Sequence, residues 1–137
     1  MPRASKGRTR RLLLWCAATD RSFERAEQAG RSVLCGKCIH CGARHVLEQD
    51  GTPRTRATVE HIVPRHHGGR DDLGNLAIAC ARCNFSKGHR LDARRWDDPT
   101  LQRVIATLQA RRRERMRPPL PGLELPPPPD DAASDDE

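Results

Sequence analysis

Six cysteines and an acid–histidine pair, Glu60-His61, carry most of the chemistry this 137-residue chain can offer. Cys38-Ile39-His40-Cys41 and Cys80-Ala81-Arg82-Cys83 are two C-x-x-C pairs. Each pair can turn two thiolates to one side, and two pairs complete a tetrahedral zinc site. A site with four protein ligands has no open position for substrate, so this zinc is expected to brace the fold and not to react. Cys35-Gly36-Lys37-Cys38 is also C-x-x-C. The pairing of Cys38 with Cys41 is preferred because Gly42 follows and permits a tight turn. Cys35 is then spare, and Cys16 reads as a buried helix residue.

Glu60-His61 suggests a different chemistry. A neutral imidazole with an ordinary pKa of about 6.5 can take a proton from water at pH 7. Glu60 offers a carboxylate and Asn84 a side-chain carbonyl, hard donors that suit Mg²⁺ or Mn²⁺ better than zinc. Activated water beside an oxygen-held divalent ion is one way to cut a phosphodiester.

The order of motifs between and around the cysteine pairs is specific. Val59-Glu60-His61-Ile62-Val63-Pro64 is followed by Gly68-Gly69, Asp71-Asp72-Leu73, Gly74-Asn75-Leu76 and Cys80-Ala81-Arg82-Cys83-Asn84-Phe85-Ser86-Lys87-Gly88. Over about residues 35–90 this resembles the HNH endonuclease family. The resemblance implies an α+β fold, a small ββα-metal core braced by the four-cysteine zinc and flanked by N- and C-terminal helices. It implies His61 as general base, with Glu60 and Asn84 as ligands of one catalytic Mg²⁺ or Mn²⁺. It implies that Asn75 ties the long loop by backbone hydrogen bonds, and that Lys87 reaches the same phosphate. Two positions depart from the common pattern: Asn84 stands where many members have His, and Glu60 where Asp is commoner. The implied substrate is double-stranded DNA. The rival reading is a non-catalytic zinc-knuckle module that binds nucleic acid. It explains cysteines and charge but not Glu60-His61 together with Asn84.

What must position these residues is a small body. Four aromatic residues and a 36% apolar content make a thin core, so a metal staple is expected to contribute to stability. All 25 Lys and Arg precede Pro118, against 12 acidic residues, which leaves residues 1–117 at +13. That balance points to a polyanionic partner. No apolar run is long enough to cross a membrane. The basic start with Leu12–Ala18 is too short and too quickly followed by Asp20-Arg21 for a secretion signal, so a cytoplasmic location is expected, with cysteines as metal ligands. Residues 1–11 read as a flexible basic arm, 12–34 as a helical segment, 35–92 as the nuclease domain, 93–117 as a basic helix, and 118–137 as a disordered Pro-rich acidic tail. Strands are expected at His45–Leu47, within Thr55–Val63 and at Leu76–Ala79, and a helix from Ala81 towards His89. His66 and His67 read as exposed loop residues, and His89 as a helix-end residue.

Overall fold

The structure, a computed structural model, describes residues 2–129. Its elements are α1 (Pro2–Ala18), β1 (Glu24–Gln28), β2 (Arg31–Lys37), β3 (Arg44–Glu48), β4 (Ala57–His61), β5 (Leu76–Cys80), α2 (Ala81–Lys87) and α3 (Pro99–Arg115). Single 3₁₀ turns lie at Arg65–His67 and Leu73–Asn75, and a π-helical turn, Gly88–Asp92, continues α2. The architecture is α+β, as expected. β1-β2-β3 form one antiparallel sheet, and β4-β5 a separate antiparallel hairpin.

That hairpin is the centre of the molecule. Side chains alternate between its faces. Ala57, Val59, Leu76 and Ile78 join Leu13, Leu14 and Phe23 in one core cluster under α1. Ile62, Ala77 and Ala79 join Leu101, Ile105 and Leu108 of α3 in a second. The stripe on α3 recurs at four- and three-residue spacing, which faces one side of a helix inward. Asp98 caps α3 by accepting the Leu101 N–H at 2.9 Å, with Pro99 at its first position.

Three expectations give way. Of the expected flexible arm at residues 1–11, residues 2–11 are helical instead, because α1 starts at Pro2. Residues 24–34 are not helical, because Ala29 and Gly30 take φ of 51° and 76° and close a tight hairpin between β1 and β2. Gly36 lets β2 pass Phe23, whose ring would fill the space of a Cβ there. Residues 118–129 are not a loose tail. Leu120, Leu123 and Leu125 pack on the α1 cluster, Leu120 N–H donates to the Ala18 carbonyl at 2.9 Å, and Trp15 Nε1 to that of Pro126 at 2.9 Å. This strap runs over α1. The acidic residues from Asp130 onward, the rest of the expected tail, lie outside the described residues.

The arginines of α3 also behave differently from a surface row. Arg112 is buried, giving its guanidinium to Thr19 Oγ1 (2.8 Å) and to the carbonyls of Thr19 and Leu73 (both 3.2 Å). Arg111 holds the carbonyls of Ile39 and His40, and Arg115 those of Lys37 and Cys38. These side chains fasten α3 to the body.

Candidate active site and metal centre

Gly42, at φ 77°, turns the chain after Cys41 so that Ala43 can accept the Cys38 N–H at 2.8 Å. The second cysteine pair spans the end of β5 and the first turn of α2. The four sulfurs of Cys38, Cys41, Cys80 and Cys83 lie within 4.8 Å of one another. A zinc tetrahedron with bonds of about 2.3 Å spaces its sulfurs by roughly 3.8 Å, so the cluster fits zinc. Cys38 Sγ accepts N–H groups from His40, Cys41 and Cys80 at 3.3–3.5 Å. The Ala43 amide and the Cys80 thiol lower the Cys41 thiol to about 7. Burial, and then the neighbouring sulfurs, push Cys80 and Cys83 up to about 12 and 11. To be held as four thiolates so close, the sulfurs would need a cation between them. Cys35 lies outside, beside Arg44 at 3.4 Å, and Cys16 is on the buried side of α1.

His61 ends β4 on the α1 face of the hairpin. Its Nε2 meets Asp71 Oδ1 at 2.7 Å. Asp71 is itself buried and takes Arg65 Nη2 on both oxygens at 2.8 Å, and Arg8 from α1. Burial first, then Arg65, lowers the His61 pKa, against a smaller opposing effect of Glu60. His61 is therefore neutral at pH 7, partly exposed, and flanked by two arginines.

The loop that brings Asp71 back to His61 is held by Asn75. Its Oδ1 accepts the Val63 N–H at 2.8 Å, and its Nδ2 donates to the carbonyls of Val63 and Arg70 at 3.1 and 3.0 Å. Gly69 makes the return possible, since a Cβ there would collide with the Val63 carbonyl. Asn75→Ala removes three hydrogen bonds and leaves their backbone partners unpaired. It should cost about 2 kcal/mol in urea unfolding. An unchanged midpoint would mean that the loop holds itself.

Glu60 and His61, adjacent in sequence, face opposite sides of the hairpin. Glu60 is fully buried under α2. Its Oε1 meets His40 Nε2 at 2.6 Å, and its Oε2 lies 2.9 Å from Lys87 Nζ. Lys87, 4% exposed, also donates to the His61 carbonyl (3.1 Å) and to Asp92 Oδ1 (2.9 Å). Three oxygens thus converge on an ammonium. Asn84, one turn earlier on α2, donates its amide to Thr58 Oγ1 and the Val59 carbonyl at 3.0 and 2.9 Å. It pins α2 to β4 and contacts neither Glu60 nor His61 by hydrogen bond.

A cation already stands at Glu60: Lys87 Nζ lies 2.9 Å from Oε2, an atom buried without a hydrogen-bond partner. The carboxylate is closed by His40 and Lys87 and points away from the His61 ring. Lys87, expected at the phosphate, is turned inward to neutralise Glu60. Of the expected residues, the structure joins the four cysteines, brings Lys87 to Glu60, and places Asn75 behind His61. It separates Glu60 from the His61 ring. Sequence reasoning gave no role to His40, Asp71, Arg65, Arg8 or Asp92. Asp71 alone left a signal: it follows Gly68-Gly69 and precedes Asn75, so a loop tied at Asn75 must return it to the strand end.

A family model described as HNH endonuclease matches residues 38–90, the segment from the first knuckle cysteine to the π turn. No curated protein and no solved structure matches the chain. Among the described residues no helix is long and apolar enough to cross a membrane.

Proposed function

Starting from the match of residues 38–90 to HNH endonucleases, we propose that the chain hydrolyses phosphodiester bonds of double-stranded DNA with His61 as general base. The observation that carries this reading is the His61–Asp71 contact at 2.7 Å beside Arg65 and Arg8. Asp71 orients the imidazole through Nε2 and leaves Nδ1 to receive a proton from water. The two guanidiniums carry charge for a phosphate that gains negative charge as water adds. The four-cysteine zinc supports the scaffold and takes no part in the step. The Mg²⁺ or Mn²⁺ implied by the resemblance would take the place of Lys87 at Glu60, and the step is assigned without it.

The test is nicking of supercoiled plasmid by wild type and by His61→Ala, in EDTA and in Mg²⁺. His61→Ala should slow cleavage by about 10² to 10⁴, the usual worth of a general base, and keep the wild-type melting temperature. Equal rates would favour the non-catalytic binding module. A strict Mg²⁺ requirement would mean that the ion displaces Lys87 from Glu60. The pH profile gives a second check. A base must be deprotonated to act, and the His61 pKa is lowered from 6.5. Single-turnover cleavage should therefore reach half its plateau rate only below about pH 6.5. A rate that falls already from pH 8 to 7 would exclude His61 as the base.

A further inference from the structure

α2 and α3 enclose space on the face of the hairpin away from His61. A cavity of about 550 Å³ is lined by His40, Lys87, Arg82, Arg90 and Arg94 among others, and a second of about 250 Å³ by His40, Arg103 and Arg111. They share His40 and Val104 and so run into one groove. Among the described residues no acidic residue lines either cavity. Lys87 is matched by Glu60 and Asp92, and Arg94 by Asp98 at 3.2 Å. Arg111 is fixed by the carbonyls of Ile39 and His40. Arg82, Arg90 and Arg103 are exposed and have no carboxylate partner among the described residues. Ser86 and Thr100 add hydroxyl groups to the wall.

We infer that this groove is a binding site for the sugar-phosphate backbone of nucleic acid, separate from the His61 face. Guanidinium groups pair with phosphate oxygens in a forked geometry that matches their own. Three of them around a concave wall without a counter-charge repel one another until an anion arrives. A polymer suits the groove better than a single phosphate, because the free arginines lie along two helices and both cavities. The groove and His61 open on opposite faces of β4-β5. Nucleic acid that reaches both must pass the edge of the hairpin, so the groove holds the substrate away from the bond being cut. The inference rests on the nuclease reading for its substrate, but its test does not require cleavage.

The experiment is fluorescence anisotropy of a labelled DNA duplex in EDTA across a salt series. Full-length wild type, Arg90→Gln, Arg103→Gln, the double variant and Arg31→Gln on β2 are compared, with melting temperatures recorded. Each groove substitution should weaken binding and lower the slope of log affinity against log salt by about 1, and the double variant by about 2. Arg31→Gln should bind as wild type. Unchanged affinity and slope in the double variant would overturn the proposal. So would full displacement of the duplex by inorganic pyrophosphate at equal phosphate concentration, which would make the groove a small-anion site. His61→Ala should bind as wild type in the same assay. Loss of cleavage in that variant with intact binding separates the role of the base from the role of the groove.

Discussion

Cys38→Ser should yield a protein without zinc and without its fold, and Cys83→Ser should do the same. Cys38 is fully buried, and its sulfur gathers three N–H groups from the knuckle and from the start of α2. Serine has a shorter, harder side chain that neither reaches the metal nor binds it well. Structural zinc contributes about 10–16 kcal/mol of apparent binding free energy in small domains. That is as large as the whole net stability of a typical domain, about 5–15 kcal/mol. A zinc on the four cysteines would tie the loop before β3 to the junction of β5 and α2, and the core around it is thin. Zinc content and far-ultraviolet circular dichroism on the same sample are the measurement. Cys35→Ser is the control, since Cys35 sits in β2 beside Arg44 and outside the cluster. A folded, zinc-loaded Cys41→Ser would show that Cys35 replaces it. A folded, zinc-free Cys38→Ser would show that packing alone holds the hairpin.

Lys87→Met should be the most damaging change that leaves the cysteines alone. It removes the cation facing a carboxylate with no exposure to water, and strands Asp92 as well. Breaking one side of a buried ion pair costs about 3–5 kcal/mol, because the remaining carboxylate loses its cation, has no solvent to replace it and keeps only His40 beside it. Removing both charges is far milder. Lys87→Met with Glu60→Gln should therefore recover most of the stability lost by Lys87→Met alone, and the cycle should show strong coupling. Urea midpoints for the four proteins decide it. If the double variant is as unstable as the sum of its parts, the two groups do not interact and Glu60 is free to serve as a ligand.

What the sequence disclosed follows from how local each signal is. Cysteine pairs with a glycine behind them, an Asx-tied loop, and an apolar stripe on α3 depend on neighbours within a few residues. Each is where the spacing put it. β1 and β2 were harder, since Glu24–Gln28 is polar and its strand state comes from pairing with β2. The strap from Leu120 to Leu125 reads as a Pro-rich tail until α1 is there to receive it. Arg112 looks like its neighbours until Thr19 and Leu73 accept it. Glu60-His61 misled for the opposite reason. Adjacency in sequence suggested one shared site, whereas a regular strand sends adjacent side chains to opposite faces. The four thiols were readable as a set because a tetrahedron asks only for spacing. The contact of His61 with Asp71 was not, because Asp71 reaches His61 through a loop whose path only the fold supplies.

The strap has a bearing on how the chain acquires its structure. Trp15 and Pro126 are 111 positions apart, and Arg117 donates to the carbonyls of Ala17, Ala18 and Phe23. During synthesis α1 is exposed long before its cover exists, with Leu13, Leu14 and Phe23 lacking the segment that shields them. Contacts so distant along the chain slow folding, because the loop between them must close first. The zinc knuckles can organise earlier, since all four ligands precede α3. The order implied is a metal-nucleated centre first and closure of α1 under residues 117–126 last. At roughly 5–20 residues per second of translation, the last few tens of residues take seconds to appear. For that interval the hairpin carrying His61 lacks its finished α1 face, and with it the secured Arg8. The site around His61 would then be complete only once synthesis had passed the strap.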